Sequence, residues 1–211
     1  MPVRFVKICG ITRLEDAHAA VSAGANALGF VFWPKSPRRV DVDVARRIAS
    51  TLPPSILTVG VFVDQPAEDV KEIASRVDLG AIQLHGAEDV GYVQTMTRPV
   101  IKALAVGADV PPVLSKWPHA ITVLLDVHDP VRKGGTGKTV DWAVASGMAE
   151  QRRVILAGGL TPGNVGEAIA RVRPWGIDVS SGVESEPGIK DHGRLKALFE
   201  AVHGSRYATR S

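Results

Sequence analysis

The only cysteine of this 211-residue chain, Cys9, closes the apolar run Phe5–Ile8, with Lys7 two positions before it. Side chains alternate along a strand, so Lys7 and Cys9 share a face, and an ammonium beside a thiol favours the thiolate. That is the reactive form of a cysteine. Asp126 ends a second apolar run, Ile121–Leu125. A carboxylate carried inward by such a run loses hydration, which raises its pKa and suits a general acid. His85 follows Gln83-Leu84, and no second histidine stands at metal-binding spacing, so a hydrogen-bonding role is expected and no metal. Two glycine turns, Ala157-Gly-Gly-Leu160 and Asp178-Val-Ser-Ser-Gly-Val-Glu184, offer backbone that an anion can approach. They make Gly158, Gly159, Ser180, Ser181 and Gly182 candidate phosphate ligands. Each feature also has a plain structural reading: a buried thiol, a capping carboxylate, two ordinary turns.

The elements that would position these groups decide between the readings. Apolar runs recur at Phe5–Ile8, Ala27–Phe32, Leu57–Val63, Ala81–Leu84, Val100–Leu104, Ile121–Leu125, Val154–Ala157 and Gly176–Val179. Most lack polar alternation, as expected of parallel strands covered on both faces. Helical patterns lie between them, such as Val70, Ile73, Ala74 and Val77, or Leu195, Leu198, Phe199 and Val202. Thr12-Arg-Leu-Glu15 has the form of a capping box opening the first helix, and Gly24 marks its end. Weaker patterns place a fourth helix near Asp89–Met96 and a fifth near Pro111–Lys116. Eight strand–helix units predict a closed (β/α)8 TIM barrel in one domain, residues 1–204, with 205–211 as a loose tail. Such barrels carry their sites at the C-terminal ends of the strands, with phosphate after strands seven and eight. Cys9, Asp126 and both glycine turns fall there.

Composition excludes several classes. The net charge is +3, and the basic residues of the last helix and tail lack the interleaved aromatics of a nucleic-acid surface. No run approaches the length of a membrane span and no apolar leader opens the chain, so no membrane partner is expected. One cysteine leaves no internal disulfide, and a cytoplasmic location is expected. Lys133-Gly-Gly-Thr-Gly-Lys-Thr139 suggests a P-loop but has Arg132 where the motif needs glycine. The stretch from Val127 to Val140 is expected instead to be a glycine-rich lid.

Taken together, Lys7-Ile-Cys-Gly-Ile-Thr12, Gly29-Phe-Val-Phe-Trp-Pro-Lys-Ser-Pro-Arg38, Gln83-Leu-His-Gly86, Leu125-Asp126, Gly134–Thr139, Ala157–Leu160 and Asp178–Glu184 resemble the phosphoribosylanthranilate isomerase family of tryptophan biosynthesis. The resemblance runs from the first strand to the last helix. One departure is Val140, where the family often has Phe. The resemblance implies an Amadori rearrangement of a small phosphosugar, with Cys9 as general base and Asp126 as general acid. It also implies that Arg38 grips a carboxylate, that His85 and Asp178 line the sugar, and that no cofactor is needed. Two alternatives stay open: another sugar-phosphate isomerase or epimerase on the same barrel, or a non-catalytic phosphate-binding barrel. Oligomeric state is not legible.

Overall fold

The computed structural model describes residues 3–106, 114–126 and 142–205. Eight strands, β1 (Phe5–Cys9), β2 (Ala27–Val31), β3 (Leu57–Phe62), β4 (Ala81–Leu84), β5 (Val100–Ala105), β6 (Thr122–Asp126), β7 (Val154–Ala157) and β8 (Gly176–Val179), form a closed barrel in chain order. Every ladder is parallel, and β8 returns to β1 with Lys7 opposite Asp178. Seven helices are described: α1 (Leu14–Ala23), α2 (Val42–Ala49), α3 (Ala67–Val77), α4 (Val90–Gln94), α5 (Trp142–Gln151), α6 (Val165–Val172) and α7 (His192–Ser205). The helix expected near Pro111–Lys116 lies mostly outside the described residues. So do the glycine-rich stretch after Asp126 and the tail from 206 onward.

The chain buries apolar side chains in two compartments. One lies between barrel and helices, where Ile8, Leu28, Phe30, Phe62, Leu125 and Leu198 are fully buried. The other fills the barrel itself with Phe5, Ala27, Val59, Ala81, Ile101, Ala103, Leu124, Ile155 and Ala157. Strand alternation separates the two, since neighbouring residues on one strand point to opposite faces. The small residues of the inner set leave room for long polar side chains. Gly29 shows the need: a Cβ there would lie 2.8 Å from Cys9 Sγ and 3.0 Å from Lys7 Nζ.

Gly24 ends α1 in a left-handed conformation, φ 115°, as expected. The start of that helix differs. Its N-cap is Arg13, with no side-chain cap, and Thr12 Oγ1 donates instead to Gly188 O at 2.5 Å. A partner from the far end of the chain has taken the hydroxyl that a capping box would use. Gly188 belongs to an addition the sequence pattern did not reveal. After β8 come a 3-10 turn (Ser181–Val183) and an antiparallel hairpin of β9 (Glu184–Glu186) and β10 (Ile189–Lys190).

Candidate active site

The C-terminal strand ends surround a cavity of about 430 Å3. Cys9, Arg38, His85, Asp126, Gly158, Gly159, Asp178, Ser180 and Ser181 all line it. Of the residues proposed from sequence, only Gly182 stands back. A Cβ there would lie 1.8 Å from Leu160 O, so this glycine lets the turn after β8 pack on the turn after β7.

Cys9 reaches the cavity from β1 but is almost buried. Below it on the same face, Lys7 is fully buried and donates to both oxygens of Asp178 at 2.9 Å. Burial works against the Lys7 charge, yet Asp178 and then Cys9 outweigh it, and its pKa ends above the ordinary value. The expected thiolate meets an opposing effect. Burial pushes the Cys9 thiol up, Lys7 pulls it down and Asp178 pushes it up again, leaving it above the ordinary thiol value. Loss of hydration is the main physical reason, and the carboxylate that shares the ammonium adds to it.

Asp126 stands across the mouth at the end of β6. Its Oδ2 is 3.0 Å from His85 Nε2, and His85 Nδ1 is 3.1 Å from the amide Nε2 of Gln83. Gln83 and His85 alternate with the outward Leu84, so β4 delivers both to the inside. His85 is therefore a hydrogen-bonding residue here, and no cluster of potential metal ligands occurs among the described residues.

Between Cys9 and Asp126 around the rim lie the turns after β7 and β8. Gly158 and Gly159 take φ of 89° and 60°, a region where a side chain is strained. Asn164 braces this turn, accepting from Thr161 N at 2.8 Å and donating to Gly159 O at 3.0 Å. Ser180 Oγ is buried on the wall without a partner among the described residues.

This arrangement has close counterparts. The profile of the N-(5'-phosphoribosyl)anthranilate (PRA) isomerase family matches residues 6–201. The chain belongs to that family. A Pseudomonas fluorescens N-(5'-phosphoribosyl)anthranilate isomerase is 49% identical over 199 residues, 93% of this chain and 97% of the relative. The crystal structure of the Thermotoga maritima isomerase superposes with a TM-score of 0.88 at 44% identity, covering 97% of this chain and all (100%) of that one. A second isomerase structure, in complex with reduced 1-(o-carboxyphenylamino)-1-deoxyribulose 5-phosphate, gives a TM-score of 0.85 at 42% identity, covering 97% and 100%. The expected family and barrel are thus both found.

Within this isomerase fold, four charged side chains were given no role by the sequence: Glu184, Lys190, Glu88 and Lys102. Arg38 donates from Nε and Nη2 to the Glu184 carboxylate at 2.7–3.0 Å, leaving Nη1 unpartnered among the described residues. Lys190 donates to Glu184 Oε1 at 2.7 Å and to Cys9 O at 2.6 Å. Burial opposes the Glu184 charge, but Arg38 and Lys190 more than offset it and hold its pKa below the ordinary value. The hairpin therefore ties β1, the turn after β8 and Arg38 into one support. Further round, Lys102 and Glu88 form a buried pair at 2.6 Å. Glu88 also accepts from Asp64 N and Gly86 N, both at 2.9 Å, and so fixes the turns after β3 and β4. No short sequence motif announces either cluster.

Proposed function

We propose that the chain isomerises N-(5'-phosphoribosyl)anthranilate to 1-(2-carboxyphenylamino)-1-deoxyribulose 5-phosphate in tryptophan biosynthesis. The observation that carries this reading is the order of groups around the rim. Cys9 and Asp126 face one cavity from β1 and β6, and two glycine turns suited to phosphate lie between them. The related isomerase structure with a reduced form of that ketose phosphate supports the substrate class.

The chemistry follows from the groups present. Protonated Asp126 delivers its proton to the furanose ring oxygen. The bond from that oxygen to C1 breaks while the aniline nitrogen lone pair forms a C1=N iminium. Cys9 acts through its thiolate, the minority form of a thiol whose pKa is raised and the form that Lys7 favours. It takes the proton from C2, and the released electron pair forms C1=C2 and returns the nitrogen lone pair. The resulting enolamine becomes the ketone when its enol proton leaves and C1 gains one. Atoms balance: Asp126 has lost one proton and Cys9 has gained one, and exchange through solvent resets both. The nitrogen of the substrate is the electron sink, so the reading needs no cofactor.

Positioning accounts for the remaining groups. Gly158, Gly159, Ser180 and Ser181 hold the phosphate, with Gly182 bringing the two turns together. Arg38 offers Nη1 to the anthranilate carboxylate while Val31, Trp33 and Val61 receive the ring. His85 and Asp178 face the sugar hydroxyls. The test is direct: purified protein mixed with phosphoribosylanthranilate should abolish the substrate's fluorescence with saturation kinetics. An unchanged signal at micromolar enzyme would overturn the reading.

A further inference from the structure

Gln83 has no part in the reaction as written, yet it is the polar residue most deeply set in the cavity wall. It is 1% exposed, and its Oε1 is buried without a partner among the described residues. An unpaired buried amide oxygen is destabilising, a loss that a methionine of similar length would avoid. What the amide gains in this position is one donor, placed 3.1 Å from His85 Nδ1.

That donor fixes a proton. An imidazole nitrogen facing an N–H must act as acceptor, so the neutral ring carries its hydrogen on Nε2 and donates it to Asp126 Oδ2, 3.0 Å away. With Oδ2 occupied as an acceptor, a proton on Asp126 belongs on Oδ1. The same contact also restrains the ring as a base. A free imidazole is a stronger base than a carboxylate, and beside a carboxylic acid it would take the proton. To do so here, Nδ1 would have to be protonated while an amide N–H points at it. Two donors face to face are repulsive, so His85 is kept from taking the proton of Asp126.

We propose that Gln83 is a positioning residue for the acid: its amide holds His85 as the neutral Nε2–H tautomer and thereby keeps the ring from taking the proton that Asp126 transfers. This rests on the assignment of Asp126 as acid and deepens it. The amide turned end for end would accept from an Nδ1–H, stabilise the imidazolium and leave Asp126 as a carboxylate. Gln83→Glu imposes that second arrangement with almost no change of shape.

The test joins spectroscopy with kinetics. In 15N-histidine-labelled wild-type protein at neutral pH, His85, assigned by the peak lost in His85→Asn, should show the neutral Nε2–H pattern. Gln83→Glu should show the imidazolium pattern at the same pH. Its kcat should fall at least about 100-fold, the lower end for losing a general acid, while KM moves less than about threefold. Gln83→Met, which removes the donor without stabilising the imidazolium, should lose less than Gln83→Glu. Wild-type His85 found as the imidazolium or the Nδ1–H tautomer would overturn the proposal, whatever the variants do. So would equal losses in the Glu and Met variants, which would mark a packing role. The tautomer is read without substrate, so a wild-type protein inactive on phosphoribosylanthranilate would instead count against the function proposed above.

Discussion

The Lys7 ammonium donates to both carboxylate oxygens of Asp178 at 2.9 Å, across the seam where β8 closes on β1. Cys9 lies directly above, so one cation serves two groups that want it. The carboxylate holds it by two hydrogen bonds, and the thiol receives what remains of its field. A buried pair of this kind is costly to break from one side only, because the survivor keeps its charge in a poor solvent.

That competition predicts opposite effects from its two members. Lys7→Met removes the cation and leaves a carboxylate near the thiol, so the thiol pKa rises further. Asp178→Asn leaves the ammonium to Cys9 alone, so the thiol pKa falls. The rate of alkylation by iodoacetamide, followed against pH, reports Cys9 directly because it is the only cysteine. The curve should move to higher pH in the first variant and to lower pH in the second. A shift in the same direction for both would show that the pair does not govern the thiol.

Arg38 and Arg39 should separate cleanly. Arg38 lines the cavity and is held by Glu184, while Arg39 is exposed. Arg38→Ala should weaken product binding by about 1.5–3 kcal/mol, the range for a hydrogen bond to a charged group, and Arg39→Ala should change it little. Arg38→Lys should not restore affinity, since an ammonium cannot pair with Glu184 and a ligand carboxylate through one planar fork. Titration of a product analogue by fluorescence gives the comparison. An equal loss at Arg39 would misplace the carboxylate.

The Glu88–Lys102 pair makes a prediction for stability. Burial opposes the Glu88 charge, but Lys102 and the N–H of Asp64 outweigh it, so its pKa lies below the ordinary 4.5. A carboxyl with a lowered folded pKa contributes stability that is full above its unfolded value and is lost as pH falls through the folded one. Melting temperature should therefore drop on acidification below about pH 4.5, and Glu88→Gln should flatten that drop. Lys102→Met at neutral pH should cost about 3–5 kcal/mol by leaving Glu88 charged and buried. Combining it with Glu88→Gln should cost less than the two separate losses added, as chemical denaturation of the four proteins would show. Strict additivity would mean that the two groups do not interact.

The barrel was legible because its strands are short apolar runs with one period, and each begins and ends within two residues of its run in the sequence. Cys9, Asp126, His85 and the glycine turns were legible because strand ends share a rim. The supports beneath them were not. Lys7 and Asp178 are 171 residues apart, Arg38 and Glu184 are 146 apart, and both meet only when the barrel closes. The hairpin that carries Lys190 spans a polar stretch, Glu184-Ser-Glu-Pro-Gly-Ile-Lys190, with no alternating pattern to betray two strands. Competition from a distant partner explains the capping box as well: Thr12 has the right spacing for one and bonds instead to Gly188.

The central claim is that Cys9 and Asp126 divide the proton transfers of one isomerisation. Cys9→Ala and Asp126→Asn, assayed by loss of phosphoribosylanthranilate fluorescence, should each lower kcat by about 100- to 10,000-fold, the usual worth of a positioned acid or base. Affinity for product should change far less, because both groups act in the transition state. Near-full activity in Cys9→Ala would contradict the account, leaving the thiol as packing and the base elsewhere on the rim.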